Sequence, residues 1–173
     1  VLSGATVDLN GSTITNNLSI VGAGNGGVGA FVNNNTSSVT YSGTLTLTNA
    51  AAIGGSGNFK IGGNIVGAYA LTKVGANTIT LSGATNGTTT TTISAGTLQV
   101  GDGGTSGALG SGAIADNGTL AYNRSDDLTV STAISGTGAV VKNASNTLTF
   151  TANNGYTGST TITANTRLAL GGT

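Results

Sequence analysis

The feature that most constrains this chain is an internal sequence repeat at one fixed offset. Lys73 aligns with Lys142 and Ile93 with Ile162, 69 positions later in each case. Apolar residues fall on apolar residues along nearly the whole overlap. Because a fixed offset joins separate strand predictions into one architecture, the repeat indicates a solenoid built from similar units.

The repeat divides the chain into regions of different regularity. Residues 59–101 and 128–171 form two matching units, and residues 1–58 form more divergent coils of the same general style. Near the end of the second unit the offset grows by one residue. This change predicts that Arg167 is an inserted residue in a β-bulge.

Short runs of alternating apolar and polar residues recur along the chain, and each predicts a strand with one apolar face. Ten such runs are 7–9, 13–15, 18–20, 45–47, 59–61, 79–81, 98–100, 128–130, 148–150 and 168–170. Similar strands return about every 20 to 23 residues, as from Leu98 to Leu120 and on to Val140. This spacing is typical of one coil of a parallel β-helix.

We therefore predict an all-β fold with almost no helix, in which residues 1–173 form a single parallel β-helix. At about 22 residues per coil the chain makes roughly eight coils, and at ~4.8 Å per coil the rod is about 38 Å long. Inward positions stack aliphatic residues, while Thr supplies soluble outward positions with good strand propensity. Asn and Ser ladders are expected in the turns.

Pairs rich in Gly and Asn separate the strands and predict turns, because a positive φ costs little there. These pairs are Asn10–Gly11, Gly54–Gly55, Asn86–Gly87, Gly103–Gly104, Asn117–Gly118 and Asn154–Gly155.

The composition excludes several kinds of function. The chain has no His or Cys, so histidine general bases, cysteine nucleophiles and soft-ligand metal sites are impossible. Lys plus Arg and Asp plus Glu number 5 each, so the net charge is zero and nothing favours nucleic acid or an anionic membrane as a partner. The sequence shows no signal peptide and no apolar run that approaches the length of a membrane-spanning helix. It opens with Val1, and we expect an excerpt of a longer protein.

Two parts of the sequence resemble a known family. Residues 71–83 and 91–101 resemble the passenger-associated repeat of bacterial autotransporters, and residues 141–150 with 154–164 resemble a second copy. The second copy departs from the family pattern at Asn143, Asn165 and Arg167. The resemblance implies a right-handed parallel β-helix that is secreted through the outer membrane and forms stalks or adhesive surfaces. It brings no family-wide catalytic residue and no cofactor.

Right-handed β-helices also include enzymes that cleave polysaccharides with clustered carboxylates. The acidic pair in this chain is Asp126–Asp127, close to Arg124, and we interpret it as a solvated turn with a surface ion pair. The other carboxylates, Asp8, Asp102 and Asp116, are scattered singly. An enzyme is therefore the less favoured hypothesis.

Two glycine-rich segments approach ligand-binding motifs without their context. Residues 22–27 satisfy G-x-G-x-x-G, but no amphipathic helix follows and no acidic residue lies about 20 positions on. Residues 54–59 approach a calcium-binding nonapeptide, but Phe59 stands where the carboxylate is needed. We expect neither a nucleotide nor a metal.

Rows of threonine raise ice binding as an alternative function. Residues 44–48, 78–80, 147–149 and 161–163 each place hydroxyls at a period of two on one strand face. Ice binding requires such pairs to stack on one flat face in successive coils, and their spacing does not follow one coil length.

The tyrosines raise carbohydrate contact as a further alternative. If exposed, Tyr41, Tyr69, Tyr122 and Tyr156 could stack on sugar rings, although scattered aromatics more often fill core gaps or cover turns.

The sequence as a whole predicts a non-enzymatic structural segment of a secreted or cell-surface protein. It acts as a rigid stalk or fibre with self-association or adhesion, and a module that binds surface glycans is the alternative. Because a β-helix leaves open sheet edges at both ends, we expect the partners to be copies of the chain or further coils of the same polypeptide. No catalytic, metal or cofactor residue is predicted, and binding residues cannot be assigned.

Overall fold

The computed structural model describes residues 1–163 and 165–171. This part of the chain forms short β-strands and a single 3-10 turn, Asn25–Gly27, so the predicted all-β fold is confirmed. The strands are β1 (Val7–Asp8), β2 (Leu18–Gly22), β3 (Phe31–Asn33), β4 (Val39–Tyr41), β5 (Leu45–Gly55), β6 (Phe59–Ile61), β7 (Ile65–Val66), β8 (Leu71–Lys73), β9 (Thr78–Leu81), β10 (Thr91–Ile93), β11 (Thr97–Val100), β12 (Ile114–Asp116), β13 (Thr119–Tyr122), β14 (Leu128–Val130), β15 (Ile134–Ser135), β16 (Ala139–Lys142), β17 (Thr147–Phe150), β18 (Thr160–Ile162) and β19 (Arg167–Leu170). Among the described residues, no helix is long and apolar enough to cross a membrane.

The strands stack in parallel into three walls of a solenoid. Wall A consists of β1, β3, the second half of β5, β8, β10, β12 and β15. Wall B consists of β4, β6, β9, β11, β13, β16 and β18. Wall C has two parts: β2, the first half of β5 and β7 form the first, and β14, β17 and β19 form a separate sheet further along the rod. Strand β5 turns the corner from wall C to wall A and therefore belongs to both.

The hydrogen-bond register gives the length of each coil. The paired positions on wall B, one per coil, are Val39, Phe59, Ile79, Leu98, Leu120, Val140 and Thr160. Their nearly even spacing in the numbering is the predicted coil spacing. A bridge between Ile14 and Tyr41 adds one more level below them. The predicted solenoid of about eight coils is thus confirmed, and its right-handed sense stays a prediction.

The core is a continuous stack of inward side chains. Ile79, Leu98, Leu120 and Val140, one per coil on wall B, are all fully buried. Because each aliphatic side chain packs on the one a coil below, the stack removes apolar surface from water at about 25 cal/mol per Å². Aromatic rings fill the wider levels, with Phe31 meeting Tyr41 and Phe59 edge-on at centroid distances of 5.0 and 5.4 Å, and Tyr122 meeting Phe150 at 6.0 Å.

Asparagine and aspartate side chains at the corners tie each coil to the next. Asn58 Oδ1 accepts a hydrogen bond from the Thr78 backbone N–H at 2.7 Å, one coil later. The same contact joins Asn17 to Thr44, Asn64 to Thr85, Asn117 to Thr137 and Asp127 to Thr147. Corner residues cannot all join a sheet ladder, so their backbone donors need such partners. This requirement accounts for the Asn residues at these corners.

The internal repeat is not a whole number of coils long: it exceeds a whole number of coils by one wall. Lys73 ends β8 on wall A, where its register partners are Ile53 and Ile93, and Ile93 pairs in turn with Asp116 one coil further on. The equivalent Lys142 ends β16 on wall B, where it pairs with Tyr122. In the same way β11 lies on wall B and its counterpart β19 on wall C. One repeat therefore spans three coils and one additional wall, which rotates the motif around the rod.

Several local predictions were wrong. Arg167 does not form a bulge: it pairs in regular register with Thr147, and the second repeat takes up its additional residue before β19 begins. Asn86–Gly87 is not a turn, because Asn86 forms a parallel bridge with Ile65. Gly54–Gly55 is not a turn but the end of β5, paired with β3. A Cβ on Gly54 would lie 2.5 Å from the Val28 carbonyl oxygen, so glycine is needed there for close approach of a neighbouring segment.

That neighbouring segment, residues 23–29, is named the wall A loop. It makes the coil that runs from Leu18 to Leu45 longer than every step between the paired strands of wall B, and a register shift marks the end of β2. A hydrogen bond from the Gly29 N–H to the Ala23 carbonyl closes the loop at 2.8 Å. The loop lies against the outer side of wall A, where Val32 is fully buried although it points away from the core.

Candidate functional surfaces

The acidic pair forms structural contacts rather than a cleft with two free carboxylates. Arg124 holds Asp126 with two hydrogen bonds, Nε to Oδ1 at 2.8 Å and Nη2 to Oδ2 at 2.5 Å, and it also donates to the Gly107 carbonyl at 2.6 Å. The hydrogen bond from Arg124 lowers the pKa of the Asp126 carboxyl. Asp127 Oδ1 accepts from the Thr147 N–H at 2.7 Å. Both side chains thus stabilise corners of the solenoid.

The remaining carboxylates lie apart from one another. Asp8 accepts hydrogen bonds from Asn10 in its own corner and from Asn34 in the next corner. Asp102 forms an exposed ion pair with Lys60 at 3.1 Å. Asp116 lies inside the solenoid, where burial raises the pKa of its carboxyl. Within residues 1–163 and 165–171, no group of three carboxylate, histidine or cysteine side chains is placed to bind a metal ion.

Both glycine-rich segments are structural. Residues 22–27 run from the end of β2 into the wall A loop, whose 3-10 turn is tied down by a hydrogen bond from the Asn25 N–H to Thr6 Oγ1 at 2.8 Å. Residues 54–59 run from β5 into β6, and Phe59 is part of the core. A short 3-10 turn does not supply the helix N-terminus that a pyrophosphate needs.

The threonine rows lie on two different walls. The hydroxyl pair of Thr78 and Thr80 lies on wall B, while that of Thr147 and Thr149 lies on wall C. On wall B the positions that follow Thr80 in successive coils are Gln99, Ala121, Val141 and Thr161. The paired rows therefore do not stack in successive coils, which is the arrangement that ice binding requires.

The tyrosines divide into a buried and an exposed set, so the four cannot all stack on sugar rings. Tyr41 and Tyr122 are buried in the core because they point inward with the apolar residues two positions before them. Tyr156 is partly buried at the last coils, and its hydroxyl lies 2.7 Å from Thr160 Oγ1. Tyr69 is 40% exposed at the corner between β7 and β8. It is the tyrosine best placed to meet a ligand.

Two buried lysines were missed in the sequence. Lys73 Nζ donates to the carbonyls of Val74, Gly75 and Ala95 at 2.9, 2.7 and 3.1 Å, which satisfies all three of its protons. Burial lowers the pKa of Lys73 to about 8. The signal was present, because Lys73 stands two positions after the inward Leu71 and a period of two places it inside.

Lys142 occupies the equivalent place in the second repeat. Its Nζ donates to the Ala144 carbonyl and to Asn146 Oδ1, and burial lowers its pKa. Asn146 donates in turn to the Asp126 carbonyl, just as Asn77 donates to the Gly57 carbonyl in the first repeat. We name these two sets of residues, 73–77 and 142–146, the lysine corners.

The two ends of the solenoid carry the most exposed apolar side chains. Leu2 is 84% exposed at one end, and Leu170 is 76% and Ile162 47% exposed at the other. The core opens at the second end into a cavity of about 400 Å³ between Phe150, Tyr156 and Leu170.

Comparison with known proteins agrees with this geometry. A family model described as the passenger-associated-transport repeat matches residues 71–100 and 140–164, the two segments that hold the lysine corners. Together these two segments are less than half of the chain. The resemblance to autotransporter passengers is confirmed by the match, and the two repeats begin on different walls.

One curated relative is the adhesin BmaC autotransporter of Brucella suis biovar 1 (strain 1330), which is 52% identical over 48 residues. The aligned stretch is 28% of this chain and 1% of that protein, so the chain covers a very small part of its relative. No solved structure matches the chain.

Proposed function

We propose that this chain is a non-enzymatic structural segment of a secreted or surface-displayed passenger. Its role is to supply reach and rigidity, and its open ends associate with further coils. The observation that carries the proposal is the uninterrupted stack of inward side chains, which passes through all coils and is open at the last one. The passenger-associated-transport repeats and the name of the adhesin relative support display outside the cell.

The ends are suited to head-to-tail stacking of copies. Strands β18 and β19 form the last level of walls B and C, and in the described chain no further strand pairs with them. Unpaired strand edges beside exposed Ile162 and Leu170 form a template for another parallel coil. The opposite end offers β1 and the exposed Leu2. Because the two ends differ, the contact is heterologous and builds a linear fibre rather than a closed dimer.

Light scattering and electron microscopy of the purified chain over a concentration series test this proposal. We expect rods that lengthen in steps of one chain as concentration rises. Leu170→Lys should shorten them, because it buries a charge in the contact, whereas Val66→Lys, on an exposed side position of wall C, should not. Single rods at every concentration would contradict stacking of copies and leave further coils of the same polypeptide as the occupant.

A second candidate function is contact with surface glycans, and the exposure of Tyr69 favours it. The corner positions one coil before and after are Asn49 and Thr89, both exposed, and the corner residues 48–50, 66–70 and 87–90 carry no charge. An aromatic face beside amide and hydroxyl groups has the chemistry that binds a neutral sugar. Binding to an array of neutral oligosaccharides should be lost in Tyr69→Ala and retained in Val28→Ala. Equal binding by both variants would exclude this corner.

A further inference from the structure

The chain contains five Asn–Gly dipeptides, which are the peptide bonds most prone to spontaneous rearrangement. The asparagines are Asn10, Asn25, Asn86, Asn117 and Asn154. In such a pair the glycine backbone nitrogen attacks the asparagine side-chain carbonyl, since glycine has no side chain to hinder the approach. The attack requires a glycine N–H that is free and a backbone that can move.

Four of the five glycine N–H groups are held in hydrogen bonds. Gly87 and Gly155 donate to the carbonyls of Ile65 and Ile134 in the coil below, at 2.9 and 2.8 Å. Gly11 donates to Asn33 Oδ1 and Gly118 to Asp116 Oδ1, each at 3.0 Å. Both of these acceptor side chains are fully buried. Rearrangement at these sites therefore requires local opening of the solenoid.

The fifth pair, Asn25–Gly26, lies at the tip of the wall A loop. Among the described residues, the Gly26 N–H donates no hydrogen bond. Both residues are exposed, and a Cβ placed on Gly26 would meet no atom within 4 Å. Thr6 of the neighbouring coil holds the Asn25 N–H, but no pairing in a wall holds the Gly26 nitrogen, which is the attacking atom.

We infer that Asn25 is a site of spontaneous deamidation and that the fold protects the other four Asn–Gly pairs. The Gly26 nitrogen bonds to Asn25 Cγ, the side-chain nitrogen leaves as ammonia with the proton from Gly26, and a succinimide ring results. Water then opens the ring to aspartate or isoaspartate. The product adds a negative charge to the wall A loop, and the isoaspartate form adds one backbone atom to a loop that Thr6 ties down at Asn25.

Peptide mapping by mass spectrometry after incubation of the intact protein at mildly alkaline pH tests this inference. Conversion at Asn25 should be at least about fivefold faster than at any other Asn–Gly pair, a ratio that corresponds to ~1 kcal/mol, the usual net value of one hydrogen bond. In denaturant the five rates should converge. Equal rates in the native protein, or a native Asn25 slower than the others, would overturn the inference.

Asp116→Ala gives an independent test because it removes the acceptor of the Gly118 N–H. Conversion at Asn117 should then accelerate, while the rate at Asn25 stays unchanged. An unchanged rate at Asn117 in a folded variant would show that the hydrogen bond of the Gly118 N–H is not the source of protection. Should this variant fail to fold, the comparison of the five native sites still decides the matter.

Discussion

The two lysine corners contain the same sequence motif in two different surroundings. In the first, Lys73 lies among coils on both sides and its ammonium bonds to backbone carbonyls alone. In the second, Lys142 is close to the open end, bonds to one carbonyl and to Asn146, and lies near Asp127, whose charge raises its pKa against the larger effect of burial. The shared contacts to Gly75 and Ala144 come from the backbone path of the corner. The motif thus specifies a corner, whichever wall it falls on.

The largest expected effect separates the two lysines. Lys73→Ala should destabilise the protein by about 3 kcal/mol or more, because it leaves three carbonyls without their donor and opens a cavity. Lys142→Ala should cost about half as much, since water reaches the end coils more easily. Thermal unfolding of both variants checks this order, and equal losses would mean that position along the rod does not matter.

The asparagines of the two corners should show a smaller effect. Asn77→Ala removes hydrogen bonds to the Gly54 and Gly57 carbonyls, and the expected loss is about 1–2 kcal/mol. Asn146→Ala removes the matching bond to the Asp126 carbonyl and should cost a similar amount. Exposed Asn25→Ala is the control and should lie within about 0.5 kcal/mol of wild type. A loss at Asn77 no larger than at Asn25 would contradict the proposed role of the corner.

A pH dependence sharpens the comparison further. The pKa of Lys73 is about 8 in the folded protein and 10.5 in the unfolded chain, so between these values the unfolded chain binds more protons. Stability contributed by this site should therefore rise as pH increases from about 8 to 10.5, because the cost of a buried charge is relieved. Denaturant unfolding at several pH values should show this rise in wild type and not in Lys73→Met. The same slope in both proteins would exclude Lys73 as its source.

Much of the fold could be predicted because strand alternation and coil spacing are both local in the sequence. The pairs Leu98 to Leu120 and Leu120 to Val140 are register partners, as their spacing indicated. The assignment of strands to walls could not be predicted, since alternation separates inward from outward positions but does not distinguish one wall from another. The corners also vary in length, so the sequence spacing alone does not show how many coils one repeat contains.

The candidate surfaces were harder to predict than the fold. The buried positions of Tyr41, Tyr122 and Lys73 follow from the period of two, which places each side chain inward. Residue type alone indicates the opposite, because lysine and tyrosine carry polar groups. The exposure of Tyr69 depends on the corner between β7 and β8, where no periodicity applies. Likewise, in the described chain the Gly26 N–H donates no hydrogen bond because of the path of the wall A loop, and the sequence does not show that path.

The central claim is that the second repeat is rotated by one wall relative to the first, and disulfide formation in paired cysteine variants tests it most directly. The natural chain has no Cys, so no other thiol competes. Ala121→Cys with Val141→Cys places two thiols at register partners on wall B, and this variant should form an intramolecular disulfide on mild oxidation. Ala115→Cys with Val141→Cys places the first thiol on wall A and should not. A disulfide in the second variant but not in the first would contradict the rotation.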